Sequence, residues 1–88
     1  MYDYQKLKPK LFTEELQVTF LRIRERAHKL IGESGAARMG KIIKGFGGDV
    51  WELMACVDRL VELGEISEVA YGDVSGQNRI FCSGEASK

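Results

Sequence analysis

A single stretch of the chain decides the fold: residues 49–66, which read DVWELMACVDRLVELGEI. Asp49 followed three residues later by Glu52 is typical of a capping box at a helix N-terminus, with Asp in place of Ser or Thr. Apolar residues then recur at helical spacing on one face: Val50, Leu53, Met54, Val57, Leu60 and Val61. Gly64 readily takes the backbone conformation that ends a helix. The stretch therefore predicts a capped amphipathic helix that ends at Leu63.

Upstream of this helix, residues 13–31 predict a longer one. Thr13 is suited to the N-cap, and Glu14 and Glu15 follow in the first turn, where negative charge favours the helix dipole. Gly32 is expected to end the helix. The apolar stripe consists of Phe12, Leu16, Phe20, Ile23, Ala27, Leu30 and Ile31.

Residues 36–46 predict a second, shorter helix between the other two. One side of it carries Arg38, Lys41 and Lys44 at i, i+3, i+6 spacing. Glycines at positions 45, 47 and 48 are expected to break it before the third helix begins. The apolar side consists of Ala36, Met39, Ile42, Ile43 and Phe46.

Downstream of the third helix the pattern changes from helical to extended. Residues 66–71 and 79–82 are rich in β-branched and aromatic side chains, and residues 72–78 are turn formers. This pattern predicts a β-hairpin. An isolated hairpin is marginally stable in water, so one of its faces must pack on the helices.

The charges of the chain cancel in total but not in position. The chain has 88 residues, enough for one domain, with 44% apolar residues, 13 Lys+Arg and 13 Asp+Glu. Residues 1–48 carry ten bases and five acids (10 − 5 = +5), and residues 49–88 carry three bases and eight acids (3 − 8 = −5). The division indicates an electrostatic dipole with one face suited to an anion.

Several functional classes find no support in the sequence. Cys56 and Cys82 are too few for a disulfide scaffold and fit a reducing compartment, and no apolar run approaches membrane-spanning length. His28 is the only histidine, and no nucleophile elbow, P-loop or metal-ligand spacing is present. We therefore expect a soluble cytoplasmic protein that is not an enzyme and has no metal or cofactor.

The order of long helix, short helix, glycine turn, capped helix and hairpin resembles the winged helix-turn-helix superfamily. The third helix has that family's Leu-x-x-x-Gly-x-Ile ending at Leu60, Gly64 and Ile66. The resemblance implies an α+β fold of three helices followed by a hairpin wing over residues 12–83. Residues 1–11 are expected to form an N-terminal arm, because Pro9 interrupts any helix there, and residues 84–88 are expected to form a flexible tail. The resemblance also implies that the third helix enters the DNA major groove and the wing contacts the backbone or minor groove.

The expected function is double-stranded DNA binding by a small transcriptional or replication regulator. Bases of the second helix and the arm (Lys6, Lys8 and Lys10) would contact phosphates, while the third helix and wing lie near the grooves. The candidate DNA-binding residues are Arg38, Lys41, Lys44, Trp51, Arg59, Gln77, Asn78 and Arg79.

The outward side of the third helix favours an alternative, a protein-interaction module with a basic partner. On a helical wheel this side carries Trp51, Glu52, Ala55, Cys56, Asp58, Arg59 and Glu62. Three acids there oppose insertion into a groove lined by phosphates. The protein contact would centre on Trp51, Glu52, Ala55 and Glu62, unless Trp51 instead covers the core, and Arg59 would pair with its helical neighbours.

Leu11, Val18 and Leu21 fall opposite the apolar stripe of the first helix. Two interpretations remain open from the sequence. They are either scattered exposed apolar residues, which are common on protein surfaces, or the contact of a homodimer.

Overall fold

The N-terminal residues fold against the helices in the computed structural model, which describes residues 1–69 and 76–84. Helix α1 spans Tyr4–Leu7, and a 3-10 helix spans Lys8–Phe12 with a proline in its first turn. Leu11, at 2% exposed, belongs to the core. Its predicted placement on an exposed side of the first helix was wrong, because the α-helical phase does not extend back into the 3-10 helix.

The predicted first helix is confirmed as α2, which spans Glu14–Ser34. Thr13 caps it, with Oγ1 accepting a hydrogen bond from the Leu16 N–H at 3.4 Å. The predicted terminating glycine, Gly32, was wrong by three residues. Gly35 ends the helix at φ +84°, and its N–H donates to the Ile31 carbonyl at 2.7 Å. A left-handed C-terminal glycine of this kind satisfies a carbonyl that would otherwise lack a partner.

Residues 36–46 do not form the predicted second helix. Ala36–Arg38 is strand β1, and helix α3 covers only Met39–Ile43. Residues 36–38 gain backbone hydrogen-bond partners by pairing with a strand more than 40 residues later in the chain. Helical periodicity within the segment could not reveal that partner.

Helix α4 spans Val50–Glu62 and confirms the predicted third helix. Asp49 caps its N-terminus, with Oδ1 accepting from the Trp51 N–H at 2.8 Å. The C-terminus is closed by a hydrogen bond from the Glu65 N–H to the Leu60 carbonyl at 3.0 Å. Gly64, at φ +79°, permits this reversal and confirms the predicted helix end.

The sheet has three antiparallel strands in the order β1–β3–β2. Strand β2 spans Ile66–Val69 and pairs with β3, Ile80–Ser83, which confirms the predicted hairpin. A 3-10 helix, Gly76–Asn78, precedes β3. The rest of the predicted turn, residues 72–75, and the end of the predicted first strand, residues 70 and 71, lie outside the described residues. The described chain is therefore an α+β fold, with β1 as a strand that the sequence pattern did not predict.

The core lies where α2, α4 and the sheet meet. Ile23 and Ala27 from α2, Leu60 from α4 and Phe81 from β3 are each 0% exposed. The predicted stripes of the two long helices supply much of this core. Phe12, assigned to the first of those stripes, is instead 59% exposed, because it lies in the 3-10 helix that precedes α2.

The end of β3 packs closely on the turn that follows α4. The Gly84 N–H donates to the Glu65 carbonyl at 3.1 Å, and a Cβ at position 84 would collide with the Gly64 carbonyl oxygen. Residue 84 therefore belongs to the packed part of the chain, although the predicted tail began there. The other residues of that tail, 85–88, lie outside the described residues.

Within the part of the chain that the structure describes, no helix combines the length and apolar character needed to cross a membrane.

Candidate nucleic-acid interface

The three bases predicted for one helix face come from three different local structures. Arg38 is the last residue of β1, Lys41 lies within α3, and Lys44 follows the last residue of α3. All three side chains are exposed. Their predicted i, i+3, i+6 alignment was wrong, because the helix is too short to contain them all.

Arg26 of α2 reaches the end of α3. Its Nη1 donates to the carbonyl oxygens of Lys41 at 3.3 Å and Lys44 at 3.0 Å. Its guanidinium carbon lies 5.2 Å from the centre of the Phe46 ring. Carbonyls at a helix C-terminus lack intrahelical partners and carry partial negative charge, so they attract a cation. Arg26 therefore joins α3 to α2 and is itself held in one position.

Two adjoining grooves collect the positive charge. One, of about 370 Å³, is lined by Arg26, Lys29, Leu30, Glu33, Lys41 and Lys44. The other, of about 330 Å³, shares Leu30 and Lys41 with it and is bordered by Arg38. Five bases face one acid among the described lining residues of these grooves. We name these bases the basic face: Arg26, Lys29, Arg38, Lys41 and Lys44.

Sequence reasoning missed the contribution of α2 to this face. It assigned Arg22, Arg24 and Arg26 together to a solvated helix side. Their surroundings differ: Arg24 pairs with Glu65 at 2.7 Å, whereas Arg26 and Lys29 border the groove with α3. The i, i+3 spacing of Arg26 and Lys29 put them on one side of the helix, but only the packing of α3 showed that this side adjoins other bases.

Two of the predicted wing residues lie beside α3. Gln77 and Asn78 belong to the second 3-10 helix and are exposed. A Cβ on Gly40 of α3 would come within 3.2 Å of Gln77 Oε1, so the two backbones approach closely. The Met39 N–H also donates to the Arg79 carbonyl at 2.7 Å. These contacts place the amide side chains next to the element that carries Lys41.

Arg79, the third predicted wing residue, is used inside the protein. Its Nη2 donates to Asp58 Oδ1 at 2.7 Å and to Glu68 Oε1 at 2.8 Å, and its Nε donates to Glu68 Oε2 at 2.9 Å. Its side chain is 15% exposed. The two carboxylates raise the pKa of Arg79 above its usual range. Its donors thus connect β3 to α4 and β2.

The outward side of α4 is less accessible than the helical wheel indicates. Ala55 and Cys56 were predicted to face outward, and both are 0% exposed. Burial raises the pKa of the Cys56 thiol to about 12, so this free cysteine is a buried apolar residue. The prediction failed at these two positions because a wheel drawn for one helix does not include segments that pack on it.

The arm (residues 1–11) is the segment that covers this side of α4. The Tyr2 hydroxyl donates to Asp58, and the Tyr4 hydroxyl donates to Glu62 Oε1 at 2.8 Å. Burial is the main cause that raises the pKa of each tyrosine above its usual range. The aromatic part of the arm is therefore bound to the acids of the helix.

Lysines of the arm also pair with these acids. Lys8 pairs with Glu62 at 2.8 Å, and Lys10 pairs with Glu52 at 3.6 Å. Arg59 pairs with Glu62 at 2.8 Å, as predicted from its helical neighbours. Hydrogen bonds from Lys8, the Tyr4 hydroxyl and Arg59 lower the pKa of Glu62 to about 2. The three acids on the outward side of α4, whose charge is unfavourable for DNA binding, therefore each have a partner from the arm.

The beginning of α4 remains open to solvent. Trp51 is 43% exposed, so it does not serve mainly to cover the core. A cavity of about 330 Å³ lies between this end of α4 and α2. Its described lining includes three acids, Glu15, Asp49 and Glu52, and one base, Lys10. That charge balance is unfavourable for a phosphate, in contrast to the basic face.

No group of three metal-ligating side chains occurs among residues 1–69 and 76–84. Comparison with known proteins identified no relative. No family model matches the chain, and no curated protein or solved structure does so either.

Proposed function

We propose that this chain is a winged helix-turn-helix protein that binds double-stranded DNA, as a small transcriptional or replication regulator. The fold part of the proposal is supported by element order: α2, β1, α3, α4 and then the β2–β3 hairpin. It is also supported by the pairing of β1 with β3, which joins a strand between the first two helices to the far strand of the hairpin.

The observation that carries the DNA part is the basic face. Its bases border two connected grooves, and Arg26 is fixed there by two carbonyls and a ring. A positioned guanidinium loses little side-chain entropy when it binds a phosphate, and flexible lysines around it add attraction. Contacts of this kind position a duplex without reading its sequence.

In this proposal α4 stays outside the major groove while the arm is bound to it. Gln77 and Asn78 are the described groups placed to approach a base edge, because they lie beside α3. Amide side chains can donate and accept hydrogen bonds at adenine. Arg79 and Arg59 have structural partners and therefore drop out of the proposed contact set.

The protein-interaction alternative is less well supported. Its expected centre included Ala55, which is buried, and Glu62, which pairs with the arm and Arg59. Trp51 is the exposed aromatic residue that remains of that surface. A protein contact on α4 would first have to displace the arm.

The test is a fluorescence-anisotropy titration of a mixed-sequence DNA duplex at several salt concentrations. The double variant Lys41→Glu/Lys44→Glu should lower affinity at least about tenfold at low salt, because each reversal replaces attraction to phosphate by repulsion. The slope of log affinity against log salt should fall by roughly 1 for each lost phosphate contact.

Lys6→Glu is the matched control, because Lys6 is exposed and lies in the arm rather than on the basic face. It makes the same change in charge as the single reversal Lys41→Glu or Lys44→Glu and should alter affinity much less than either of them. Equal losses at Lys6 and at Lys41 would indicate a general charge effect and would overturn the proposed face. Undetectable DNA binding by the wild-type protein at low salt would overturn the function itself.

A further inference from the structure

The outward side of α2 carries two large apolar side chains in contact with solvent. Val18 and Leu21 are each 56% exposed, and they lie opposite the buried residues Ile23 and Ala27. Their exposure leaves apolar surface in water at neighbouring positions of one helix face. Leu11, which the sequence grouped with them, is in the core and takes no part.

The charges on either side of Val18 have opposite signs. Glu14 lies four residues before it and Arg22 four residues after it, and both side chains are exposed. Residues at i and i+4 share a helix face, so these three side chains form one line along α2, in the order acid, valine, base. Turned end for end, that line presents base, valine, acid. The line formed by Glu14, Val18 and Arg22 is therefore complementary to itself in charge.

We propose that a second copy of this chain covers this surface, with the two α2 helices antiparallel about a two-fold axis at Val18. Each Glu14 then faces the partner's Arg22, and the two valines meet on the axis. Leu21 lies three residues from Val18 on the same side of the helix. Contacts in such an interface occur in symmetric pairs, so each favourable charge pair is made twice.

A second copy fits this surface better than an unrelated partner, because the complementary charges are already present on the same helix. The contact is small and centred on two apolar residues per subunit, which indicates a reversible dimer. It uses no residue of the basic face and so goes beyond the proposed DNA contact.

The test is sedimentation equilibrium of the full chain over a wide concentration range, with circular dichroism to verify folding of each variant. The wild-type protein should show a reversible monomer–dimer equilibrium. Glu14→Arg should weaken the dimer roughly tenfold, because it changes two symmetric attractive pairs into repulsive ones. Arg22→Glu should have the same effect.

The double variant Glu14→Arg/Arg22→Glu should restore dimerisation to near the wild-type level. Exchange of both signs regenerates the complementary pairs in an antiparallel two-fold interface. Glu33→Arg is the control, since it changes charge equally on α2 but lies 15 residues beyond Val18, about 22 Å along the helix axis. It should leave the dimer intact.

A wild-type chain that remains monomeric up to about 1 mM would overturn the proposal, since dissociation constants above that value correspond to less than about 4 kcal/mol of association energy. Single reversals without effect would also overturn it. Failure of the double variant to recover, while both single variants are folded and monomeric, would exclude the proposed two-fold arrangement.

Discussion

At the scale of single residues, Arg79 connects parts of the chain that lie far apart in sequence. It binds Asp58 of α4 and Glu68 of β2, and its guanidinium carbon lies 5.2 Å from the Phe81 ring. The Tyr2 hydroxyl donates to the same Asp58 carboxylate. One carboxylate thus joins the arm, α4 and the hairpin. An arginine in this setting contributes to the position of β3 rather than to a surface contact.

A substitution at Gly84 tests the close packing of β3 on the turn after α4. Gly84→Ala should lower the free energy of unfolding by roughly 1–3 kcal/mol, because its Cβ would overlap the Gly64 carbonyl oxygen and force the backbone apart. Urea denaturation measures the change. Gly47→Ala is the matched control, since a Cβ at position 47 meets nothing within 4 Å. Equal effects at the two positions would contradict the predicted overlap.

At the scale of elements, the relation of the arm to α4 determines which surfaces can bind. A capped helix with an exposed acidic side would repel DNA and attract a basic protein. In the structure Lys8 and Lys10 of the arm form ion pairs with the acids of α4, and the hydroxyls of Tyr2 and Tyr4 add hydrogen bonds. The remaining basic surface is formed by α2 and α3, which is why the proposed DNA contact lies there.

Weakening the arm should make Cys56 more reactive. The double variant Tyr4→Phe/Lys8→Ala removes two hydrogen bonds to Glu62, so the arm should open more often. A thiol-reactive reagent should then label the buried Cys56 thiol several times faster than in the wild-type chain. Mass spectrometry after timed labelling under native conditions distinguishes Cys56 from the half-buried Cys82.

Lys6→Ala supplies the control for that experiment, because Lys6 lies in the same arm and is exposed. Its labelling rate at Cys56 should match that of the wild-type chain. An unchanged rate in the double variant would show that these two contacts do not protect Cys56.

At the scale of the whole molecule, the zero net charge conceals a positive first half and a negative second half. Folding brings part of the two halves together. The arm pairs with α4, Arg24 pairs with Glu65, and His28 is 2.8 Å from the same carboxylate. The basic face consists of other bases of the first half, contributed by α2, β1, α3 and the residue that follows α3. The charge division therefore supplies both the internal ion pairs and the basic face, which is the surface that we propose contacts DNA.

Stability should fall as the solution becomes acidic. The pKa of Glu62 is about 2 in the folded chain, below its ordinary value of 4.5 in the unfolded chain. The ionised Glu62 carboxylate therefore contributes to the free energy of unfolding above about pH 4.5, and this contribution is lost as the pH falls towards 2. Urea denaturation at pH 6, 4 and 2.5 measures this loss. Glu62→Gln should show a smaller decrease over that range, and an identical decrease would contradict the role of Glu62.

Features that depend on near neighbours in the chain were predictable from the amino-acid sequence. Asp49 and Thr13 as helix caps, Gly64 as the end of α4 and the hairpin between β2 and β3 follow from local hydrogen bonding and periodicity. The apolar stripes of α2 and α4 likewise identified seven of the sixteen buried core residues in the described part of the chain.

Features that depend on partners far away in the chain became evident only in the folded protein. Residues 36–38 became a strand because β3 offered them hydrogen bonds, and Ala55 was buried although its own helix placed it outward. Arg26 joined the basic face because α3 ends beside it. In each case the contact involves a segment that is distant in the sequence, and local periodicity carries no information about it. The free energy of that contact contributes only when the chain is folded.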